Sequence, residues 1–558
     1  LTRSDKRAPA ERRAERTRAG RALRVFGATS TGVVAVGVVA AATVLSGTWA
    51  AALDGPGVGR TAGPLDVAAD PAPAQLVCAP PARLPDGLAV GDSQFDAQPV
   101  ATESSVTAGV LGAAGQDATW AALGSDPAAF TGGRDGATWT APADAGAVVT
   151  ALPAGQESLR AAGAGTSITT AGDLRGLTAA ACTAPATSQW IVGGGTEVGA
   201  TAVLTVQNPT ERTATVALDV YGTAGQVALG SRGSFLVAPG QSVVTQLEAV
   251  APDQRRIAVH VRSTGARVTA SLQTQALAGL LPRGVDVLTP GAEPATSVGI
   301  AGLVSDGQAL DDPDAPVLRL LAPGAVPGTA RVSVLGPDGV VPLRGADAVA
   351  LDPGVVTDVP LGGLPAGGYA VVVDADVPVV AAAGYSRASA TPDDAAVAGT
   401  LLDVAWSAAR SLDTWAGSGQ VAVPAHQPIE SVLSIGAVPA TRDGNVPDEP
   451  VTSAVVRVLG TNGARLAERE VILEPGRVER LSVADLAGEL PDGVVPALLT
   501  VDTGADDADG TGSAAPVVWG LELTASDGHA PRALVASLSP TGAGDAGGTV
   551  RVRQVDAP

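Results

Sequence analysis

Histidine, cysteine and lysine carry much of enzymatic chemistry, and this 558-residue chain has few of them. The histidines are His260, His426 and His529, the cysteines are Cys78 and Cys182, and lysine occurs once, at Lys6. Beyond residue 6 there is therefore no P-loop lysine, no Schiff-base lysine and no Ser-x-x-Lys pair. Two cysteines and three histidines exclude Cys-rich zinc sites and iron–sulfur clusters. The histidines also fall in three different copies of a repeat, described below. A shared metal or a His-based triad would require those copies to converge on one point. His260 alternates with apolar residues in IAVHVRS and reads as a strand residue, whereas His426 and His529 stand beside turn signals.

The remaining motifs fail on context. In ADDADGTGS, Asp507, Asp509 and Gly510 have calcium-loop spacing, but an EF-hand alignment puts Ala505 at the first ligand position and Pro516 at the twelfth. The glycines of WIVGGGTEVG (Trp190–Gly199) precede the strand-like TAVLTVQN, so no helix N-terminus follows to hold a phosphate. Ser386 in AGYSRA faintly resembles a nucleophile elbow, yet it leads into a Pro/Asp loop and not a helix. Paired carboxylates for glycoside hydrolysis stay open, because acidic residues are abundant and their spacing in space is invisible. Trp120 and Trp139 could present rings to sugar faces; core packing is the commoner role for Trp in a chain with 3% aromatics. No catalytic, cofactor-binding or metal-binding residue is assigned, no cofactor is expected, and the chain reads as a non-enzyme.

The elements that would position such side chains are strands. VYGTAGQV (Val220–Val227), VLGPDGVV (Val334–Val341) and VLGTNGAR (Val458–Arg465) share glycine pairs at 222/225, 336/339 and 460/463. Each follows an alternating apolar run, the pattern of a strand entering a tight hairpin with Gly at a positive φ. Pro239-Gly240, Pro353-Gly354 and Pro475-Gly476 follow in register. Two turn signals shared by three copies make a repeat of 114 and 124 residues. A weaker fourth copy is expected at VLGAAGQ (Val110–Gln116), with its Pro-Gly counterpart at Pro153.

The expected fold is all-β, tandem immunoglobulin-like sandwiches, with a β-propeller of two blades per repeat as the alternative. The expected modules are 76–185, 186–290, 291–397 and 398–540, with a flexible tail at 541–558.

Residues 1–24 hold nine basic and three acidic side chains, and Val25–Leu53 holds no charge. As a helix, that 29-residue run would span about 43 Å, more than the hydrocarbon core of a bilayer. The expectation is a basic cytoplasmic tail (1–24), a transmembrane anchor (25–53), a Pro/Gly/Ala-rich linker (54–75) and an exported remainder. The alternative is cleavage near Ala52 and secretion. The chain carries −21 overall, so the part beyond residue 24 carries −27, which disfavours nucleic acid as a partner. Cys78 and Cys182 both lie in the exported part and read as one disulfide, with two free buried thiols as the alternative.

The segment Gly172–Thr210, followed by VYGTAG, resembles a family of actinobacterial membrane-anchored envelope proteins of uncharacterised function. The residues that carry the likeness are Cys182, Pro185, Trp190, Gly193 to Gly195, Asn208 and Pro209. The resemblance implies tandem β repeats, an extracytoplasmic envelope location and a gene often beside a large membrane glycosyltransferase. It carries no catalytic residues. The expected role is a scaffold or adaptor whose partner is an envelope protein or polysaccharide. A glycan-binding protein or carbohydrate-active enzyme is the alternative.

Overall fold

A computed structural model describes residues 65–68, 73–84, 101–111, 118–132, 135–143, 145–152, 159–343, 345–392, 395, 397–415, 417–425, 428–440, 451–504, 515–542 and 549–552. The uncharged run 25–53, His426, Pro153 and the acidic loop at 505–513 lie outside them. Among the described residues no helix is long and apolar enough to cross a membrane. The chain divides into two compact units. The smaller contains an antiparallel pair, Leu65–Ala68 with Thr549–Val552. The expected linker and the expected tail each therefore contribute a strand; runs of four residues are too short for alternation to announce them.

The larger unit, 70–548, is nearly all β. It is four copies of one two-sheet module, at 73–183, 186–288, 295–411 and 419–542. Module two shows the plan. One sheet runs Ser188–Val192, Ala258–Thr264, Ala214–Gly222, which then pairs with Gly225–Val227 and Ser234–Val237. The other runs Ser242–Gln246, Ala200–Gln207, Thr269–Ala278, Leu281–Leu288, and all these pairs are antiparallel. Period-2 alternation puts Val216, Leu218, Val259 and Val261 of the first sheet against Leu204, Val206 and Leu272 of the second, in one shared core. Modules one and four repeat this order in separate strands. In module three a single bent strand, Gly367–Ala390, joins one sheet with its first half and the other with its second.

The turn chemistry follows the sequence signals. Gly225, Gly339 and Gly463 have φ of 108°, 122° and 69°, and the Pro-Gly glycines 240, 354 and 476 have 64°, 71° and 84°. The fourth copy, however, is aligned differently from the expectation. Val110 closes a strand, Glu103–Leu111, of the sheet that corresponds to module two's second sheet. The true counterpart of Ala214–Gly222 is Ala118–Ala122, which turns at Gly124 (φ 78°). The third boundary also moves: Thr400–Ala408 pairs with Gly367–Ala390 along Ala382–Ala390, so the loop at Pro392 is a hairpin inside module three. Thr541–Gly542 pairs with Gly419–Gln420 and belongs to module four, not to a tail.

Cys78 and Cys182 are disulfide-bonded across 104 residues, and both are fully buried in module one. A Cβ on Gly163 would lie 2.6 Å from the Cys182 sulfur, so the bridge fills the space between strands. Closing a loop of this length stabilises by up to about 4.7 kcal/mol on the chain-entropy account. Replacing both cysteines with serine should lower stability by about 2–5 kcal/mol in denaturant melts. An unchanged midpoint would show that the bridge contributes nothing.

Candidate functional site

In every module the strand that closes the second sheet is an edge strand: Gly176–Ala181, Leu281–Leu288, Thr400–Ala408 and Leu534–Leu538. Each packs against the next, and the fourth returns to the first, so the modules close into a ring around these four strands. The two sheets of a module share a core as in a sandwich, while the modules themselves are arranged about an axis as propeller blades are. Edge strands carry unpaired amides, and burying them without partners is costly. Two aspartates meet that need. Asp403 Oδ2 accepts from the amides of Leu177 (2.9 Å) and Val535 (2.8 Å), and its Oδ1 accepts from Val404 (3.0 Å). Asp286 Oδ2 accepts from the amide of Trp406 (2.7 Å) and Oδ1 from Val287 (2.8 Å). The strands come close because Gly176 and Gly284 lack a Cβ. One at Gly176 would lie 2.6 Å from Asp403 Oδ1, and one at Gly284 2.6 Å from the Val404 nitrogen. Burial drives the Asp403 carboxyl up to about 7 against the pull of its amide donors, and it raises Asp286 well above the usual range.

At one end of the ring the four modules meet around a cavity of about 840 Å³. Its wall includes Thr183 of module one, Ser188 and Arg267 of module two, Glu293 of the join between modules two and three, Arg410 of module three, and Gln420 of module four. A larger groove of about 1220 Å³ lies between modules one and two and is lined by uncharged amides and hydroxyls such as Gln207, Gln246 and Ser271, with Arg83. The two differ in one respect: the smaller cavity holds buried polar atoms with no partner, Arg410 Nε and Gln420 Oε1.

Beside that cavity, neighbouring strands of module two bring Ser188, His260 and Asp219 together. Ser188 Oγ lies 2.9 Å from His260 Nε2, and His260 Nδ1 lies 3.8 Å from Asp219 Oδ2. A Ser/His/Asp trio therefore forms without any convergence of repeats, since Asp219 and Trp190 both stand directly opposite His260 in the sheet. Only the register of three adjacent strands, which spacing along the chain does not reveal, brings them to one face. Its geometry is not that of an acyl-transfer site, where the carboxylate binds Nδ1–H directly. Here Arg262 holds Asp219 through Nε (3.1 Å) and Nη2 (2.7 Å), and Ser188 Oγ also reaches Glu293 Oε2 at 3.2 Å. Trp190 lies flat on the imidazole, 3.9 Å between centroids. Burial and Arg262 push His260 down to about 4, with Asp219 pulling the other way.

These shifts act in opposite directions on stability. As pH falls below 6.5 the unfolded chain protonates His260 before the folded one does, so His260 costs stability down to about 4. Asp403 and Asp286 take protons earlier in the folded state, so both add stability as pH falls, Asp403 from about 7 downward. His260→Gln should therefore increase the gain, or reduce the loss, of stability on acidification from pH 6.5 to 4, read from denaturant midpoints against the parent chain. Parallel pH profiles would remove His260 from the balance.

The other residues singled out above have structural neighbours. Trp120 and Trp139 stack on each other at 4.2 Å, half-buried against the core of module one, so each ring has one face committed. Ser386 sits mid-strand and its hydroxyl donates to Asp314 O at 2.8 Å. His529 lies in a turn, with its amide donating to Asp527 Oδ1 at 3.0 Å. Gly193 and Gly194 let their loop press on module three and on Thr274: a Cβ at 193 would lie 2.9 Å from the Trp406 ring, one at 194 2.3 Å from Thr274 Cγ2. Asn208 is fully buried and ties its strand end to the turn, donating to Arg212 O (2.7 Å) and Val237 O (3.0 Å).

A family model matches residues 137–484, more than half of the chain and all of modules two and three. The chain belongs to DUF5719, a family of unknown function. The Cys, Trp, Gly-Gly-Gly and Asn-Pro positions at 182–209 all fall inside the DUF5719 match. No curated protein matches the chain. Among solved structures it is similar to a biofilm associated protein BSP domain at 9% identity, over 79% of this chain and 90% of that one. The TM-score of that comparison is 0.11, too low to support an argument about fold or function.

Proposed function

We propose that this DUF5719 protein is a non-enzymatic scaffold of the cell envelope, anchored by its N-terminal uncharged run and presenting four immunoglobulin-like modules outside the membrane. The observation that supports this reading most is the use of the buried carboxylates. Asp286 and Asp403 spend their acceptor capacity on strand amides at the ring centre, so they hold the modules together and leave no oxygen free for a substrate. A ring closed in this way is a stiff platform, with hairpins and edge strands available for contact. The partner in this reading is an envelope glycosyltransferase or its polysaccharide product, suggested by the resemblance of the 172–210 segment to actinobacterial envelope proteins.

Crosslinking in native membranes followed by capture of the tagged full chain tests the proposal. Recovery of an envelope enzyme or wall polymer is the expected result, together with no turnover of cell-wall glycans by the purified protein. Turnover abolished by changing one Asp or Glu would replace the scaffold reading with a carbohydrate-active enzyme.

A further inference from the structure

Arg410 is the least satisfied cation in the larger unit. Its Nε has no exposed surface and no hydrogen-bond partner, and no carboxylate lies within ion-pair distance of it among the described residues. Burial pushes the guanidinium down to about 10, so it stays charged at neutral pH. A buried charge without a counter-ion is a standing cost in a folded protein. It faces a cavity and is not packed away, because Arg410 lines the 840 Å³ space where the four modules meet. Arg267, exposed on the module-two loop that crosses from one sheet to the other and likewise without an ion pair among the described residues, lines the same space. Two unpaired arginines on one cavity are conspicuous in a chain of net charge −21.

The second unsatisfied atom has the opposite polarity. Gln420 directs its Nε2 to Ala161 O, Thr541 Oγ1 and Gly542 O, which fixes the amide and leaves Oε1 as a buried acceptor with nothing to accept from. Neither atom has accessible surface, so a ligand in the cavity meets the terminal guanidinium of Arg410 and not Nε or the Gln420 amide, and the groups within its reach call for an oxyanion on a hydroxylated body. The cavity size is that of a site for a ligand of one or a few sugar rings, and Ser188 and Thr183 add hydroxyls to its wall.

We propose that this cavity binds an acidic sugar unit of a glycan, with its carboxylate or phosphate on Arg410 and Arg267 and its ring hydroxyls against Ser188 and Thr183. Glu293, at the rim and within reach of Ser188 Oγ, disfavours a second anionic group there and so selects a residue with one acidic group. The inference rests on the polysaccharide side of the scaffold reading and deepens it; capture of a protein partner in the crosslinking experiment would leave the cavity to be decided by titration alone.

Calorimetric titration of the full chain with glucuronate, glucose 1-phosphate, glucose, inorganic phosphate and tri-glutamate tests it. Glucuronate, glucose 1-phosphate or both should bind, with glucose, inorganic phosphate and tri-glutamate weaker by about tenfold or more. Arg410→Leu should abolish that binding and raise the melting temperature by about 2 °C, because an uncompensated charge is removed. Ser188→Ala should weaken the sugar probes and leave inorganic phosphate unchanged. Arg267→Gln, on the exposed inter-sheet loop, should weaken binding about threefold with no change in melting. Equal binding of glucose and glucuronate, or tri-glutamate binding as well as the sugars, would overturn the acidic-glycan assignment. A fall in melting temperature or a failure to fold in Arg410→Leu, or unchanged affinity in Arg267→Gln, would overturn the role given to the arginines. Absence of binding by both acidic sugars overturns the site itself, whatever the crosslinking experiment finds.

Discussion

Asp403→Ala should cost about 3–5 kcal/mol and lower the denaturant midpoint of the whole ring. Its carboxylate, on module three, accepts from Leu177 of module one and Val535 of module four, so one side chain joins three modules. Alanine leaves those amides and that of Val404 buried without an acceptor, and each such amide costs about 1–3 kcal/mol. Set against that loss is the relief of a desolvated acid whose pKa already stands at about 7. The amides outnumber the charge, so the net effect is destabilising. Asp403→Asn separates the two contributions: it keeps one carbonyl acceptor while removing the ionisable group, so its cost should be about half that of alanine or less. Urea melts followed by tryptophan fluorescence decide the matter. A loss below about 1 kcal/mol in Asp403→Ala would mean that water replaces the carboxylate, and that closure of the ring does not depend on it.

How far these features could be read in advance depends on the distance over which each is encoded. The hairpin and Pro-Gly turns were legible because a positive φ demands glycine locally, at 225, 339 and 463 and again at 240, 354 and 476. Module one was misaligned because VLGAAGQ mimics VYGTAGQ in residue type, while the strand that truly corresponds, Ala118–Ala122, ends in a turn at Gly124 with no second glycine three residues later. The third boundary was misplaced because ATPDDAA has the composition of a linker yet serves as a hairpin between two long strands. Composition reports that a segment is exposed; it does not report whether the flanking strands pair with each other.

The ring is a different case. Its contacts join residues more than a hundred positions apart, 120 for Asp286 with Trp406 and 226 for Leu177 with Asp403, and no local periodicity encodes them. A trace of it does exist in Arg175-Gly176-Leu177, Arg283-Gly284-Val285 and Arg532-Ala533-Leu534, a small residue after arginine at the start of three of the four closing strands. The small residue marks close approach, which Gly176 and Gly284 confirm in the distances a Cβ would meet. The Ser188, His260 and Asp219 trio and the unpaired Arg410 carried no such mark, because their meaning lies in register and in burial, not in spacing along the chain.

Of those arginines, Arg175 carries the second large effect expected. It is 2% exposed, and its Nη2 donates to Asp527 Oδ2 at 2.6 Å and Ser389 Oγ at 2.9 Å, while Nη1 donates to Leu402 O at 3.2 Å. It thereby links module one to modules three and four from a site beside Asp403. For Asp527, burial works to raise the carboxyl, but Arg175 and the amides of Ala530 and His529 outweigh it and hold it below the usual range. Arg175→Met would keep the stem and remove the charge, leaving Asp527 buried without its cation. Breaking one side of such a pair costs about 3–5 kcal/mol. Arg175→Lys should recover only part of this, because a single ammonium cannot serve the carboxylate, the hydroxyl and the carbonyl in the fork geometry of a guanidinium. The decisive variant is the double one. Arg175→Met with Asp527→Leu removes both charges, and it should be more stable than Arg175→Met alone by about 1–3 kcal/mol, since the uncompensated carboxylate is the main penalty. If the double variant instead loses the sum of the two single effects, the pair is not coupled. The stability would then come from Arg175 bridging Ser389 and Leu402, with Asp527 held by the amides of Ala530 and His529 alone.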